Sequence, residues 1–137
     1  MTILYPERFK QARPANYDGV FDWDWLESAF AGKIKPMDID AIIERKGFFL
    51  CFETKADNIK IPFGQKLLFT QLIKLQPERI TLFILRGKTK ATIHGLTIWG
   101  YTKKKQFYKR EYPEADGEFV WQQANKWFMW ADGTRNK

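Results

Sequence analysis

"DIDAIIERKGFFLCFETK", residues 38–55, decides how the chain is read. β-Branched and aromatic residues flank "RKG", which predicts two strands joined by a tight turn. With Lys46 and Gly47 as the two-residue loop, Arg45 pairs with Phe48, Ile43 with Leu50 and Asp40 with Glu53. Asp38 then falls opposite Lys55. Because side chains alternate across a strand, Asp38, Asp40, Glu53 and Lys55 project from one face at one end of the hairpin. Ile39, Ala41, Ile43, Phe48, Leu50 and Phe52 are expected on the opposite, buried face.

Two carboxylates facing each other across a sheet are destabilising, so Asp40 opposite Glu53 calls for a compensating charge. A divalent cation supplies one: Mg²⁺ takes one or two protein carboxylates and completes its shell with waters and phosphate oxygens. Lys55, two residues past Glu53 on the same face, is placed to orient a water or neutralise an attacked phosphate. A plain cross-strand ion pair between Asp38 and Lys55 is the simpler alternative, and it leaves Asp40 facing Glu53 unexplained.

Outward from the hairpin, Asp22 is positioned to cap a helix through "WDWLESAF", with Glu27 half covered and Gly32 past its end. "PFGQKLLFTQLIKLQP" predicts a second helix with Leu68, Leu72 and Leu75 on one stripe, stopped by Pro77. "RITLFILRG" is a near-continuous apolar run, as in a strand covered on both faces. "ATIHGLTIWGY" reads as a further strand broken at Gly95. "GEFVWQQANKWFMWADG" predicts a closing helix that docks through Phe119, Trp121, Ala124, Trp127 and Phe128. The expected fold is α/β, a mixed central sheet flanked by helices with a C-terminal helix. A single domain over 1–137 suits the length, with an irregular arm over 1–20, a core over 22–87 and a basic strand region with the last helix over 88–137.

The chain has 137 residues, with 23 Lys and Arg against 16 Asp and Glu, a net charge of +7. Nine of the cations and no acid fall in residues 79–110, and the remainder is slightly acidic. Such segregation suits a polyanion, and the candidate contacts are Lys88, Lys90, Lys103, Lys104, Lys105, Lys109 and Arg110. Trp99, Tyr101, Phe107 and Tyr108 interleave with these lysines, either to stack on bases or as core. Cys51 is the only cysteine, which excludes an internal disulfide and a Cys-type zinc cluster. The lone His94 excludes a His-pair mechanism. A start without a long apolar stretch, and no run of membrane-spanning length, lead to the expectation of a cytoplasmic protein without membrane contact.

Asp40 followed by Glu53-Thr-Lys55 on the next strand resembles the PD-(D/E)xK nuclease superfamily, whose motif is an Asp on one strand and Glu-x-Lys on the next. The resemblance is to small stand-alone members, phage-encoded or resolvase-like. It implies a restriction-endonuclease-like α-β-β-β-α-β core. In several branches a Glu on the first helix supports the metal and a Gln on the helix after the Lys contacts the site. Glu27 and Gln65 match those positions. The Pro-Asp pair of the motif is absent, since Met37, Asp38 and Ile39 stand between Pro36 and Asp40. This leaves the choice of metal Asp open, and Asp40 is preferred because the hairpin register sets it opposite Glu53, with Asp38 as an outer ligand or alternate.

The implied function is a Mg²⁺-dependent nuclease, with Mn²⁺ as a substitute, acting as an endonuclease on double-stranded or branched DNA, in some members as a homodimer. In this reading Asp40, Glu53, Lys55 and Gln65 are catalytic, and Asp40, Glu53, Asp38 and Glu27 hold metal. The rivals are a non-catalytic nucleic-acid-binding or inhibitory module on the same fold, and an enzyme acting on RNA, since phosphate contacts carry no base information.

Overall fold

The computed structural model describes residues 21–32, 34, 36–56 and 59–133. The expected arm over 1–20 lies outside the described residues. The chain divides into two compact units, Met1–Asp38 and Ile39–Lys137.

In the first unit, Asp24–Ala29 forms a short 3-10 helix in place of the expected α-helix. Asp22 Oδ1 accepts from the Asp24 amide at 2.9 Å. None of the six helical residues is buried, and a segment this short gains too few hydrogen bonds to offset α-helix nucleation.

The second unit is a five-stranded sheet in the order β1-β2-β3-β4-β5. Its strands are β1 (Ala41–Arg45), β2 (Phe48–Lys55), β3 (Ile80–Arg86), β4 (Leu96–Tyr101) and β5 (Phe107–Tyr112). The β1–β2 register is the one read from the sequence, with Ala41 opposite Phe52, Ile43 opposite Leu50 and Arg45 opposite Phe48. Lys46 and Gly47 both have positive φ, 51° and 82°, the backbone that a two-residue hairpin turn requires. β2 and β3 are parallel, whereas β3–β4 and β4–β5 are antiparallel. The sheet is therefore mixed. Two strands, rather than the three implied by the nuclease resemblance, stand between the 3-10 helix and the next helix among the described residues.

A parallel pair needs a crossover. Here it contains α1 (Phe63–Ile73), which packs on one face of the sheet. Phe69 and Ile73, one turn apart, are buried against Cys51, Leu82, Ile84 and Trp99. The expected stripe through Leu75 is corrected: Leu75 is 74% exposed, because the helix ends at Ile73. α2 (Gly117–Ala131) covers the other face. Asp116 caps it by accepting from the Phe119 amide at 2.9 Å. Its buried line runs through Trp127 and Ala131, with Val120 and Ala124 packed beside them, over Leu50, Phe83, Leu96 and Ile98. Trp121 and Phe128, expected to dock, are exposed instead, being offset from that line by about a quarter turn or more.

β3 is covered on both faces, as its unbroken apolar run predicted, with Leu82, Phe83 and Ile84 all buried. β1 is an edge strand that α2 meets at Arg45, whose guanidinium lies 5.5 Å from the centre of the Phe128 ring. Ile43, expected in the core, is 45% exposed there. The chain bends at Asp40, and Ile39 joins the α1 side of the core in place of the side shared by Leu50. Gly95 precedes β4 and does not interrupt it. Among the described residues no helix is long and apolar enough to cross a membrane.

Leu50 is fully buried between Ile43 of β1 and Thr81 of β3. Leu50→Ala should cost about 2 to 5 kcal/mol in denaturant unfolding through lost burial and a residual cavity. Ile43→Ala should cost well under half of that, because the position is already in contact with solvent.

Candidate metal centre at the end of β2

β2 carries an ionisable group into the interior. Glu53 alternates with Cys51 on the α1 face and is only 4% exposed. α1 explains its partner: Gln65, Phe69 and Ile73 are spaced by four residues, so the stripe that buries Phe69 and Ile73 also directs Gln65 toward the sheet. Gln65 Nε2 donates to Glu53 Oε1 at 2.8 Å. Lys55, two residues on, reaches the same oxygen with Nζ at 3.5 Å, its side chain only 16% exposed. Three of the four residues expected to be catalytic thus meet at one carboxylate.

Asp40 is the fourth. Its carboxylate takes up the hairpin's hydrogen bonding where the ladder stops: Oδ2 accepts from the Thr54 amide at 2.8 Å and from the Thr54 hydroxyl at 3.0 Å. Thr54 was missed by sequence reasoning as a positioning residue. Its signal is its place between Glu53 and Lys55, on the strand opposite Asp40.

The electrostatics are those of a crowded acid. Burial pushes the Glu53 carboxyl above its ordinary value, and the Asp40 charge pushes it further, against the Gln65 hydrogen bond and the Lys55 charge. Two buried oxygens, Glu53 Oε2 and Gln65 Oε1, have no hydrogen-bond partner. Both are acceptors. A buried acceptor without a donor costs about 1 to 3 kcal/mol, and a cation at Glu53 Oε2 would relieve that oxygen. Among the described residues no three His, Cys, Asp or Glu side chains gather as a ligand group. Two carboxylates are nonetheless the usual protein share of a Mg²⁺ shell, and Asp40 with Glu53 fits that share.

Asp38 and Glu27, the other expected ligands, belong to the first unit. Asp38 is exposed and Glu27 half-buried. The β1–β2 ladder starts at Ala41, so the expected pairings of Asp40 with Glu53 and of Asp38 with Lys55 are not part of it, and the Asp40 carboxylate bonds Thr54 instead.

The basic segment is divided rather than continuous. Arg79 stacks on Phe48 at 4.4 Å and Arg86 donates to the carbonyls of Ala56 and Ile59, both architectural contacts. Lys88 and Lys90 follow β3 at the sheet end that holds Glu53, with Lys90 3.5 Å from Glu118. Lys103, Lys104 and Lys105 lie in the β4–β5 connection at the opposite end, about 17 Å away along five residues of strand. Lys109 lies over Trp99 on the α1 face and Arg110 over Tyr108 on the α2 face. The interleaved aromatics belong to the core, with Trp99 3% exposed.

A carboxyl raised on folding binds more protons in the native than in the unfolded state between its two pKa values, so its contribution to stability falls as pH rises through that window. Glu53→Gln should flatten this fall and melt higher than the parent at neutral pH in EDTA. Melting scans from pH 4 to pH 8 test the sign. Mg²⁺ should raise the parent's melting temperature at pH 7.5 and leave that of Glu53→Gln unmoved.

Comparison with protein-family models, curated proteins and solved structures finds no match for this chain.

Proposed function

We propose that the chain is a Mg²⁺-dependent endonuclease that hydrolyses DNA phosphodiester bonds, with a restriction-endonuclease-like core and Mn²⁺ as a competent substitute. The observation that carries this reading is the Glu53 carboxylate, buried with an unpartnered oxygen and surrounded by Asp40, Lys55 and Gln65. A buried acid with these neighbours has no evident packing role, and perturbed acids of this kind cluster at functional sites. The run β1–β2–α1–β3, with Asp40 at the start of the hairpin and Glu53-Thr-Lys55 at its end, supports placement in the PD-(D/E)xK superfamily.

Asp40 and Glu53 would hold the ion, with help from a backbone carbonyl near Thr54. Mg²⁺ when bound supplies Lewis-acid chemistry, polarising a phosphoryl oxygen and acidifying water. The protein groups do the rest. Gln65 fixes Glu53 Oε1, leaving Oε2 as the oxygen to share. The two Thr54 donors fix Asp40. Lys55, partly exposed beside Glu53, orients the attacking water and stabilises charge on the phosphate as it becomes five-coordinate.

Asp40→Asn keeps an oxygen to accept from Thr54 while removing the charge that attracts a hard cation. It should melt no lower than the parent without metal, because removing the Asp40 charge relieves its repulsion of Glu53, and lose Mg²⁺-dependent nicking of a supercoiled plasmid. Lys55→Ala should keep the Mg²⁺-induced rise in melting temperature and lose rate. An Asp40→Asn protein that nicks at the parental rate refutes the assignment.

Lys88 and Lys90 share the sheet end with the site. Replacing both by Ala should weaken binding of a short duplex on all sequences alike and reduce the log–log salt slope by about 2. Replacing Lys103, Lys104 and Lys105 should matter less for a short duplex than for a long one, because that turn is at the far end of the sheet. Equal losses on both lengths would reject this footprint.

A further inference from the structure

The face of the sheet opposite Glu53 contains a second feature that the nuclease reading does not use. Between β3, β4, β5 and α2 lies a cavity of about 370 Å³, within the range of small-molecule sites. Its walls include Phe83, Tyr108 and Trp127, with Arg110 and Lys126 at the exposed side and Gln123 on the helix.

The space depends on one small residue. Gly100 pairs with Tyr108 across β4–β5, and a Cβ at position 100 would fall 2.3 Å from both Tyr108 Cζ and Oη. The phenol ring therefore lies flat across the glycine. The Arg110 guanidinium sits 4.9 Å from the centre of that ring. Trp127, in the same lining, is 8% exposed and its indole N–H is buried without an acceptor. An orphaned donor in a residue that lines the cavity is costly.

The chemistry of the lining is specific. Aromatic walls suit a planar ring. Arg110 and Lys126 suit an anion, and against Glu78, the one acid in the lining, they leave the site cationic. Thr81, Gln123 and the carboxylate of Glu78 offer donors and acceptors to the polar edge of a heteroaromatic base. We propose that this cavity is a mononucleotide site, with the base among Tyr108 and Trp127 and the phosphate on Arg110 and Lys126. It lies toward the sheet end that carries Glu78 and Thr102, on the other face from Glu53, so it does not compete with the carboxylate centre. The inference is independent of the nuclease assignment.

Titration of the full chain with AMP, GMP, CMP and UMP, followed by calorimetry and quenching of tryptophan fluorescence, tests it. At least one nucleotide should bind saturably, and its nucleoside or inorganic phosphate alone should bind at least tenfold more weakly than that nucleotide. Arg110→Ala with Lys126→Ala, both surface changes, should weaken nucleotide binding tenfold or more without shifting the melting temperature. Gly100→Ala should abolish it by displacing Tyr108. Gln123→Ala provides a second lining variant should Gly100→Ala fail to fold, with an expected three- to tenfold loss. Absence of saturable binding at millimolar nucleotide, phosphate binding as tightly as the nucleotide that binds, or undiminished affinity in the Arg110/Lys126 double variant would each overturn the proposal.

Discussion

The parallel pairing of β2 with β3 is the constraint from which the rest of the second unit follows. Parallel neighbours cannot be closed by a tight turn, so the chain must leave the sheet and return, and α1 makes that excursion. Its apolar stripe seals Cys51, Leu82 and Ile84. The same stripe, extended one turn toward the helix N-terminus, delivers Gln65 to Glu53. The acid is therefore held where a hydrophobic side chain would be expected, on a strand with neighbours on both sides and a helix above. Its retention there costs stability that no packing contact returns.

The hairpin was legible in the sequence because its turn and its alternation are local properties. "RKG" between apolar runs specified the register, and the register put Asp40, Glu53 and Lys55 together. α1 was legible as a helix, but its buried face was not: Leu68, Leu72 and Leu75 look as apolar as Phe69 and Ile73, and only the point where the helix stops excludes Leu75. The same limit applies to α2, where Trp121 and Phe128 are large and apolar yet lie off the line through Trp127 and Ala131. Apolarity marks a helix as amphipathic more reliably than it marks which residues face in when both sides carry large side chains. The exposure of Ile43 was invisible for another reason, since edge position is a property of the assembled sheet. Thr54 escaped notice because its role depends on a bend at Asp40 that no residue type announces.

The charge distribution has a similar lesson. Nine cations in 79–110 appear as one basic block in the sequence, but strand alternation and strand reversal distribute them over two faces and two ends. Arg79 and Arg86 serve the backbone, Lys109 and Arg110 lie over rings on opposite faces, and the lysines of the β4–β5 turn stand far from the carboxylates. The net charge of +7 favours encounter with polyanions, while the fold determines which cations can act together.

Asp132, at the end of α2, bonds Arg45 at 2.6 Å through Nε, and its carbonyl accepts from Lys46 at 2.8 Å. These partners are 87 and 86 residues apart, so the contact joins the first hairpin to the last helix. During synthesis that hairpin emerges early, and its turn must wait for nearly all of the second unit before it is fastened. Leu50, Phe48 and Phe52 face α2 and stay uncovered for the same interval. A ribosome-bound chain lacking the last helix would thus expose an aromatic sheet face, which makes the late arrival of α2 the step at which self-association competes most directly with folding.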